Sequence, residues 1–162
     1  MICGIDNGIG TLGFVGDNKA FIFKTPTFKD KYYTKPIRKR SKSGKMEDKQ
    51  RECTRIHTAK LAQLLETFKP TQAVLERPFV NPKMFQATIS SVRAMEAIMV
   101  TLEQHSIPYK FIDSKEWQKN LPEGNTKEQS LLIAKELFPE IDFSKFKDAD
   151  GLLIAYYENL LN

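Results

Sequence analysis

Three carboxylates stand where short apolar segments end. Asp6 closes Ile2-Cys3-Gly4-Ile5-Asp6, Glu76 closes Ala73-Val74-Leu75-Glu76, and Asp150 falls in the first turn of an apolar C-terminal stretch. If the first two segments are neighbouring strands, their carboxylates emerge side by side, where like charges raise one another's pKa. A divalent cation removes that penalty, and hard carboxylate oxygens suit Mg²⁺, with Mn²⁺ as a substitute. Two such ions about 4 Å apart can activate a water and stabilise the leaving oxygen of a phosphodiester. Each acid alone has an ordinary explanation: Asp-Asn-Gly is turn chemistry, Glu76 can be a solvated strand end, and Asp150 can favour a helix N-terminus. Their joint placement carries the chemical reading.

The elements that must position these acids read as follows. Ile2 to Asp6, Leu12 to Gly16 and Ala20 to Lys24 have strand character, with Gly8 and Gly10 in the first turn and Asp17-Asn18 in a tight hairpin. Residues 25 to 45 carry Pro26, Pro36, Ser41, Ser43 and Gly44 among lysines, which predicts an exposed, mobile basic loop. Cys53, Ile56, Leu61, Leu64, Leu65 and Phe68 recur at helical spacing and predict a helix from about Met46 to Phe68, stopped by Pro70. The run ending at Glu76 is a fourth strand, and Tyr109 to Ile112 a fifth. Between them a helix runs from about Pro82 to Gln104, with Phe85, Ile89, Val92, Met95, Met99 and Leu102 as its apolar stripe. Ala87, Ser90, Ala94, Ala97 and Thr101 form a second face of small residues, suited to close approach by another helix, such as one from a second subunit. Thr126 with Gln129 has capping-box spacing for a helix ending near Phe138-Pro139. The last helix runs from about Lys145 or Asp148 to Leu160. A three-strand meander followed by α/β alternation predicts an α/β fold of RNase H-like type: a five-stranded mixed sheet, with an antiparallel meander plus two parallel strands, flanked by helices. With no internal repeat, residues 1–162 read as one domain.

Composition narrows the partners. At 41% hydrophobic and 28% charged the chain is neither disordered nor membrane-spanning, since no apolar run approaches ~18 residues. The N-terminus has no basic leader or cleavage signal, and Cys3 and Cys53 lack metal-ligand spacing, so reduced thiols and an intracellular site are expected. The net charge of +5 is unevenly spread. Between Lys29 and Arg55, eleven Lys and Arg face four acids, a local +7 that leaves −2 for the rest of the chain. A charge run is often a solvated loop. Here Arg38, Lys39 and Arg40 are candidates for phosphate contact, and the adjoining Tyr32 and Tyr33 could stack on bases. His57 and His105 have no ligand partners and receive no chemistry.

Several motifs together resemble one family. Gly4-Ile5-Asp6-Asn7-Gly8 resembles the opening Gly-Ile-Asp-Pro-Gly of RuvC-type Holliday-junction resolvases, with Asn7 where proline is usual. Leu75-Glu76-Arg77-Pro78-Phe79 resembles their second motif, and Thr126-Lys127-Glu128-Gln129-Ser130 the start of a late helix that carries a lysine important for cleavage. Asp148 to Ala155 resembles their closing Asp-Ala-Leu-x-Ile-Ala segment. Trp117-Gln118-Lys119, Phe138-Pro139 and Leu-Leu-Ile-Ala-Tyr-Tyr are most similar to phage-type members. The resemblance implies a structure-selective endodeoxyribonuclease that resolves four-way or other branched DNA by two-metal-ion hydrolysis, in recombination and repair. It implies Asp6, Glu76, Asp148 and Asp150 as metal-binding catalytic acids. It further implies a homodimer through the helix at 82–104, and a place in the cytoplasm of a bacterial or phage-infected cell. Phe79, a core residue by default, has the spacing of a wedge that enters the junction. Lys119 and Lys127 are candidate phosphate contacts.

One position departs from the pattern. The family places its third acid, or a histidine, three residues before the last, where this chain has Lys147. Asp148 can fill that role if the helix starts at Ala149 and leaves it outside; otherwise Lys147 would touch the scissile phosphate. Competing readings are an actin-like or sugar-kinase ATPase, which needs two such domains, and a catalytically inactive DNA-binding module on the same scaffold. A third is an RNase H-like nuclease acting on flaps or RNA/DNA hybrids.

Overall fold

The alternation of side chains along the central strands divides the interior into two cores. A computed structural model describes every residue except 7–8, 32–34, 51 and 120–126. Strands β1 (Ile2–Ile5), β2 (Thr11–Gly16) and β3 (Lys19–Lys24) form an antiparallel meander. Asp17 and Asn18 turn the second corner at φ 52° and 57°, the left-handed pair that suits the twist of a two-residue hairpin. The segment Gln72–Glu76 lies parallel to β1, and Tyr109–Ile112 lies parallel to it in turn. The result is the expected five-stranded mixed sheet.

Between the meander and the parallel strands the chain builds more strand than the sequence predicts. β4 (Thr27–Asp30) pairs antiparallel with β7 (Cys53–Ile56), and between them β5 (Ile37–Arg40) pairs with β6 (Met46–Lys49). Strands β4 and β5 therefore stand within the expected mobile loop at 25–45 and β6 and β7 within the start of the expected helix at 46–68, and the helix α1 is confined to Thr58–Phe68. Cross-strand pairing, invisible to local periodicity, is the reason. Arg38 lies opposite Asp48 and Lys39 opposite Glu47, while Arg55 donates to Asp30 Oδ2 at 2.7 Å. Opposite charges on facing rungs favour a ladder. Cys53 and Ile56 belong to β7, so their helical spacing to Leu61 is coincidental. Tyr32 and Tyr33 lie outside the described residues.

The remaining elements complete the layers: β8 (Gln72–Glu76), α2 (Phe85–Gln104) entered through a 3₁₀ turn at Pro82–Met84, β9 (Tyr109–Ile112), α3 (Ser114–Gln118), α4 (Lys127–Leu137) and α5 (Asp150–Leu161). The sheet order is β3-β2-β1-β8-β9. Cys3, Ile5, Leu12, Phe14, Ala73 and Leu75 face α1 and α2, while Ile2, Val15 and Val74 face α5. By the same period of two, Asp6 and Glu76 fall on the α5 side.

Helix α2 packs through its C-terminal half. Ala94, Met95, Ile98, Thr101 and Leu102 are buried, whereas Phe85 and Val92 of the expected stripe are exposed. Its small-residue face is partly used within the chain, because Ala94 and Thr101 are buried. Phe79 is 74% exposed, so the default reading of a core residue does not hold. Among the described residues no helix is long and apolar enough to cross a membrane.

Candidate active site

Helix α5 lies unusually close to the sheet, and three glycines permit it. A Cβ on Gly4 of β1 would collide with the Gly151 carbonyl, one on Gly13 of β2 with the Leu152 backbone, and one on Gly151 with the Thr11 carbonyl. Interiors are packed closely enough that one extra methyl at such points forces the backbone apart. The close approach sets the first turn of α5, and with it Asp150, beside the end of β1. Thr11 ties the same corner: its hydroxyl accepts from Gly151 N at 3.1 Å and donates to Asp148 Oδ1 at 3.0 Å.

The four candidate acids converge there. Asp6 follows β1 and Glu76 ends β8, one step beyond the parallel rung Ile5–Leu75. Asp6, Glu76 and Asp148 are buried and Asp150 is half-buried. One oxygen from each of Asp6, Asp148 and Asp150 lies within 4.8 Å of the others, and Glu76 stands beside Asp6 on the paired strand. Gly10 leaves room for this arrangement, since a Cβ there would strike the Asp6 carboxylate.

The departure from the family pattern has a local explanation. α5 begins at Asp150 with Ala149 as its N-cap. Asp148 is thus outside the helix, and its carboxylate turns into the cluster while Lys147 is exposed to solvent. Lys127, at the start of α4, reaches the same carboxylate with Nζ 3.1 Å from Asp148 Oδ2. Lys119 is exposed at the end of α3, and Arg38, Lys39 and Arg40 are exposed on β5, on the ribbon rather than at the acid cluster. Thr126, Asn7 and Gly8 lie outside the described residues.

The electrostatics follow from this crowding. Burial, the hydrogen bond and charge of Glu76, and the charge of Asp148 push the Asp6 carboxyl well above its ordinary range, against the opposing charge of Lys127. Asp150 is raised to about 6 by burial and by Asp6 and Asp148, despite a hydrogen bond from Ser130. Burial disfavours the charge on Lys127, but Asp148, Asp6 and Asp150 outweigh it and hold the amine above the usual lysine value. Such a cluster is under-neutralised by protein alone. Its donor set is entirely carboxylate oxygen, which fits a hard divalent cation and not the sulfur and imidazole preferences of zinc. Away from the site, burial pushes the Cys3 thiol up, so it is an inert core residue.

Three supporting residues have no role assigned from the sequence. Thr11 and Ser130 brace the start of α5, the latter by accepting from Ala149 N at 3.2 Å. Trp117 Nε1 donates to Glu76 Oε1 at 3.1 Å. Nothing local marks Thr11 or Ser130, because their partners lie up to 140 residues away.

No protein-family model matches the sequence, and neither does any curated protein. Solved structures do match. One is Thermus thermophilus RuvC in complex with a Holliday junction substrate, with a TM-score of 0.57 and 16% identity over 98% of this chain and 94% of that one. Another Thermus thermophilus RuvC structure gives a TM-score of 0.56 at 16% identity, covering 98% and 95%. On this evidence the chain has the RNase H-like fold of RuvC, a mixed five-stranded sheet flanked by helices, carried by a largely different sequence.

Proposed function

We propose that the chain is a single-domain, Mg²⁺-dependent endodeoxyribonuclease that cuts four-way or related branched DNA. The observation that carries this reading is the convergence of Asp6, Asp148 and Asp150, with Glu76 on the neighbouring strand beside Asp6, at one corner of a RuvC-like sheet. The RuvC of similar fold was seen on a Holliday junction, and the acid chemistry here suits hydrolysis of a phosphodiester. Asp6, Asp148 and Asp150, with Glu76 beside them, would hold two Mg²⁺ ions, or Mn²⁺ in their place. Bound there, the ions supply water activation and stabilisation of the leaving oxygen. Asp148 is held by Thr11 and Lys127. Lys127 keeps a positive charge at the mouth of the cluster, where a backbone phosphate approaches.

The ribbon bearing Arg38, Lys39 and Arg40 offers a sequence-independent grip on phosphates, and Lys119 adds a cation after α3. Phe79, exposed three residues past Glu76, is suited to wedge between base pairs at a branch point. Paired cuts on a two-fold symmetric junction call for two sites, so we assign a homodimer through the helix at 82–104. The exposed Met84, Phe85 and Val92 are its natural contacts. Ile98 is fully buried, so a lysine there would disrupt the core; Val92→Lys is the cleaner probe of the interface.

Incubating the purified protein with labelled four-way, flap and linear duplex DNA, with and without Mg²⁺, tests the proposal. Metal-dependent cutting of the four-way substrate in preference to linear duplex is expected. Binding without cutting would instead mark an inactive DNA-binding module, and preference for flaps or RNA hybrids a different nuclease of the same fold.

A further inference from the structure

α3 is only five residues long, well below the length at which a helix holds by itself. Its start is clamped from both sides. Asp113 N donates to Glu116 Oε2 at 2.8 Å in a capping box, and the Asp113 carboxylate pairs with Arg77 Nε at 2.9 Å. Arg77 follows Glu76 directly, and its own N–H donates to the Ile112 carbonyl at 3.0 Å. The clamp therefore ties the end of β8 to the start of α3. It delivers Trp117, 1% exposed, into the core on the α5 side, where Val74, Phe143, Ala149 and Leu153 belong to the same cluster.

From that position the indole N–H meets Glu76 Oε1 at 3.1 Å. An indole can only donate, and this ring is immobilised by packing, so the hydrogen bond has one available geometry. A buried carboxylate needs such donors. With one oxygen held by Trp117, the Glu76 carboxylate is fixed at the end of β8, beside Asp6 at the end of the paired strand β1. We propose that Trp117 is a positioning residue whose N–H fixes the Glu76 carboxylate beside Asp6 and thereby sets the affinity of the acid cluster for divalent cations. This inference rests on reading the four acids as a cation site. Partners that orient a metal-ligating side chain commonly govern affinity by roughly 10–100-fold.

Cation binding without DNA tests it independently of cleavage. Mn²⁺ affinity is measured by calorimetry and by the free-ion electron paramagnetic resonance signal. The proteins compared are wild type, Trp117→Phe, and a form in which Trp117 is replaced by 3-benzothienylalanine, which keeps the ring shape and lacks the N–H. Trp117 is the only tryptophan in the chain, so its emission gives a second readout and should respond to Mn²⁺ with the calorimetric midpoint. A loss of affinity of about 10-fold or more is expected in both variants, with the circular dichroism spectrum preserved in the benzothienyl form. In a Glu76→Gln background the same replacement should cost no further affinity. Unchanged Mn²⁺ affinity in the benzothienyl form overturns the inference, as does an equal loss that persists in Glu76→Gln. A wild-type protein that binds no Mn²⁺ overturns the cation-site reading itself, a result distinct from either.

Discussion

The acid corner and the basic ribbon are held by opposite means. At the corner, Gly4, Gly13 and Gly151 bring backbone against backbone, and buried hydrogen bonds from Thr11 and Trp117 fix the carboxylates. Removing one partner there strands a buried polar group, which is costly. On the ribbon, β5 and β6 are almost wholly exposed, and Arg38 sits 3.7 Å from Asp48 with both side chains about 70% or more exposed. Exposed ion pairs contribute only about 0–1 kcal/mol each and weaken with salt. The difference teaches that precision is concentrated where bond-breaking would occur, while the charge proposed to gather DNA rests on a loosely held frame.

The comparison breaks most sharply if the corner can lose an acid without consequence. Asp6→Asn or Glu76→Gln should lower junction cleavage by at least roughly 10²-fold, the scale of losing one preorganised electrostatic group. Junction binding in a gel-shift assay should survive, because the basic residues proposed to grip phosphates lie on the ribbon. Full activity in either variant would remove the two-metal mechanism.

A second measurement sharpens the boundary inside the corner. Asp148→Asn should raise the Mg²⁺ concentration needed for half-maximal cleavage by about 10-fold, with partial rescue by Mn²⁺. Lys147→Ala, altering an exposed side chain, should change the rate less than about twofold. The reverse ranking in the two metal titrations would hand the third position to Lys147.

On the ribbon, replacing Arg38, Lys39 and Arg40 together with alanine should weaken junction binding to a similar degree for all sequences. The slope of log affinity against log salt should shrink by about one per lost contact. Thermal stability should hardly move, since the pairs are exposed. An unchanged slope would leave the ribbon without a role in gripping DNA.

The smallest expected effect is on stability against pH. Asp150 is raised to about 6 from 3.8 in the folded chain, so the folded state binds this proton more tightly than the unfolded state. Its contribution is complete below about pH 4 and is lost as pH rises through about 6. Asp6 is raised in the same direction and extends the loss upward. In a chelator, the melting midpoint should fall between pH 5 and 8 by roughly 2–5 °C more in wild type than in Asp150→Asn. Mg²⁺ at pH 8 should recover the difference. A wild-type protein whose pH dependence matches Asp150→Asn would show that the acids are not strained together.

Much of this was legible in the residues. The sheet strands followed from short apolar runs and turn chemistry, because their side chains face two covered layers and the pattern is local. Asp6 and Glu76 could be placed on neighbouring strands, since both stand at the ends of short apolar runs. The ribbon was not legible: its strands are stabilised by partners 6 to 29 residues away, and a lysine-rich stretch with prolines looks the same whether solvated or paired. The start of α5 was read only to within a few residues, and those residues decide whether Asp148 enters the cluster.

The sequence by itself determined the inventory: the carboxylates, the strand ends that carry them, the lysine of α4 and a strongly basic stretch. Period-two alternation and helical periodicity encode those facts within a dozen residues. Tertiary structure alone decided which groups meet. Gly151 against Thr11, Trp117 under Glu76 and Lys127 on Asp148 join positions 21 to 140 residues apart. No local propensity specifies such contacts; they exist because α5 can settle onto glycines in the sheet, leaving Asp148 outside the helix and turned inward.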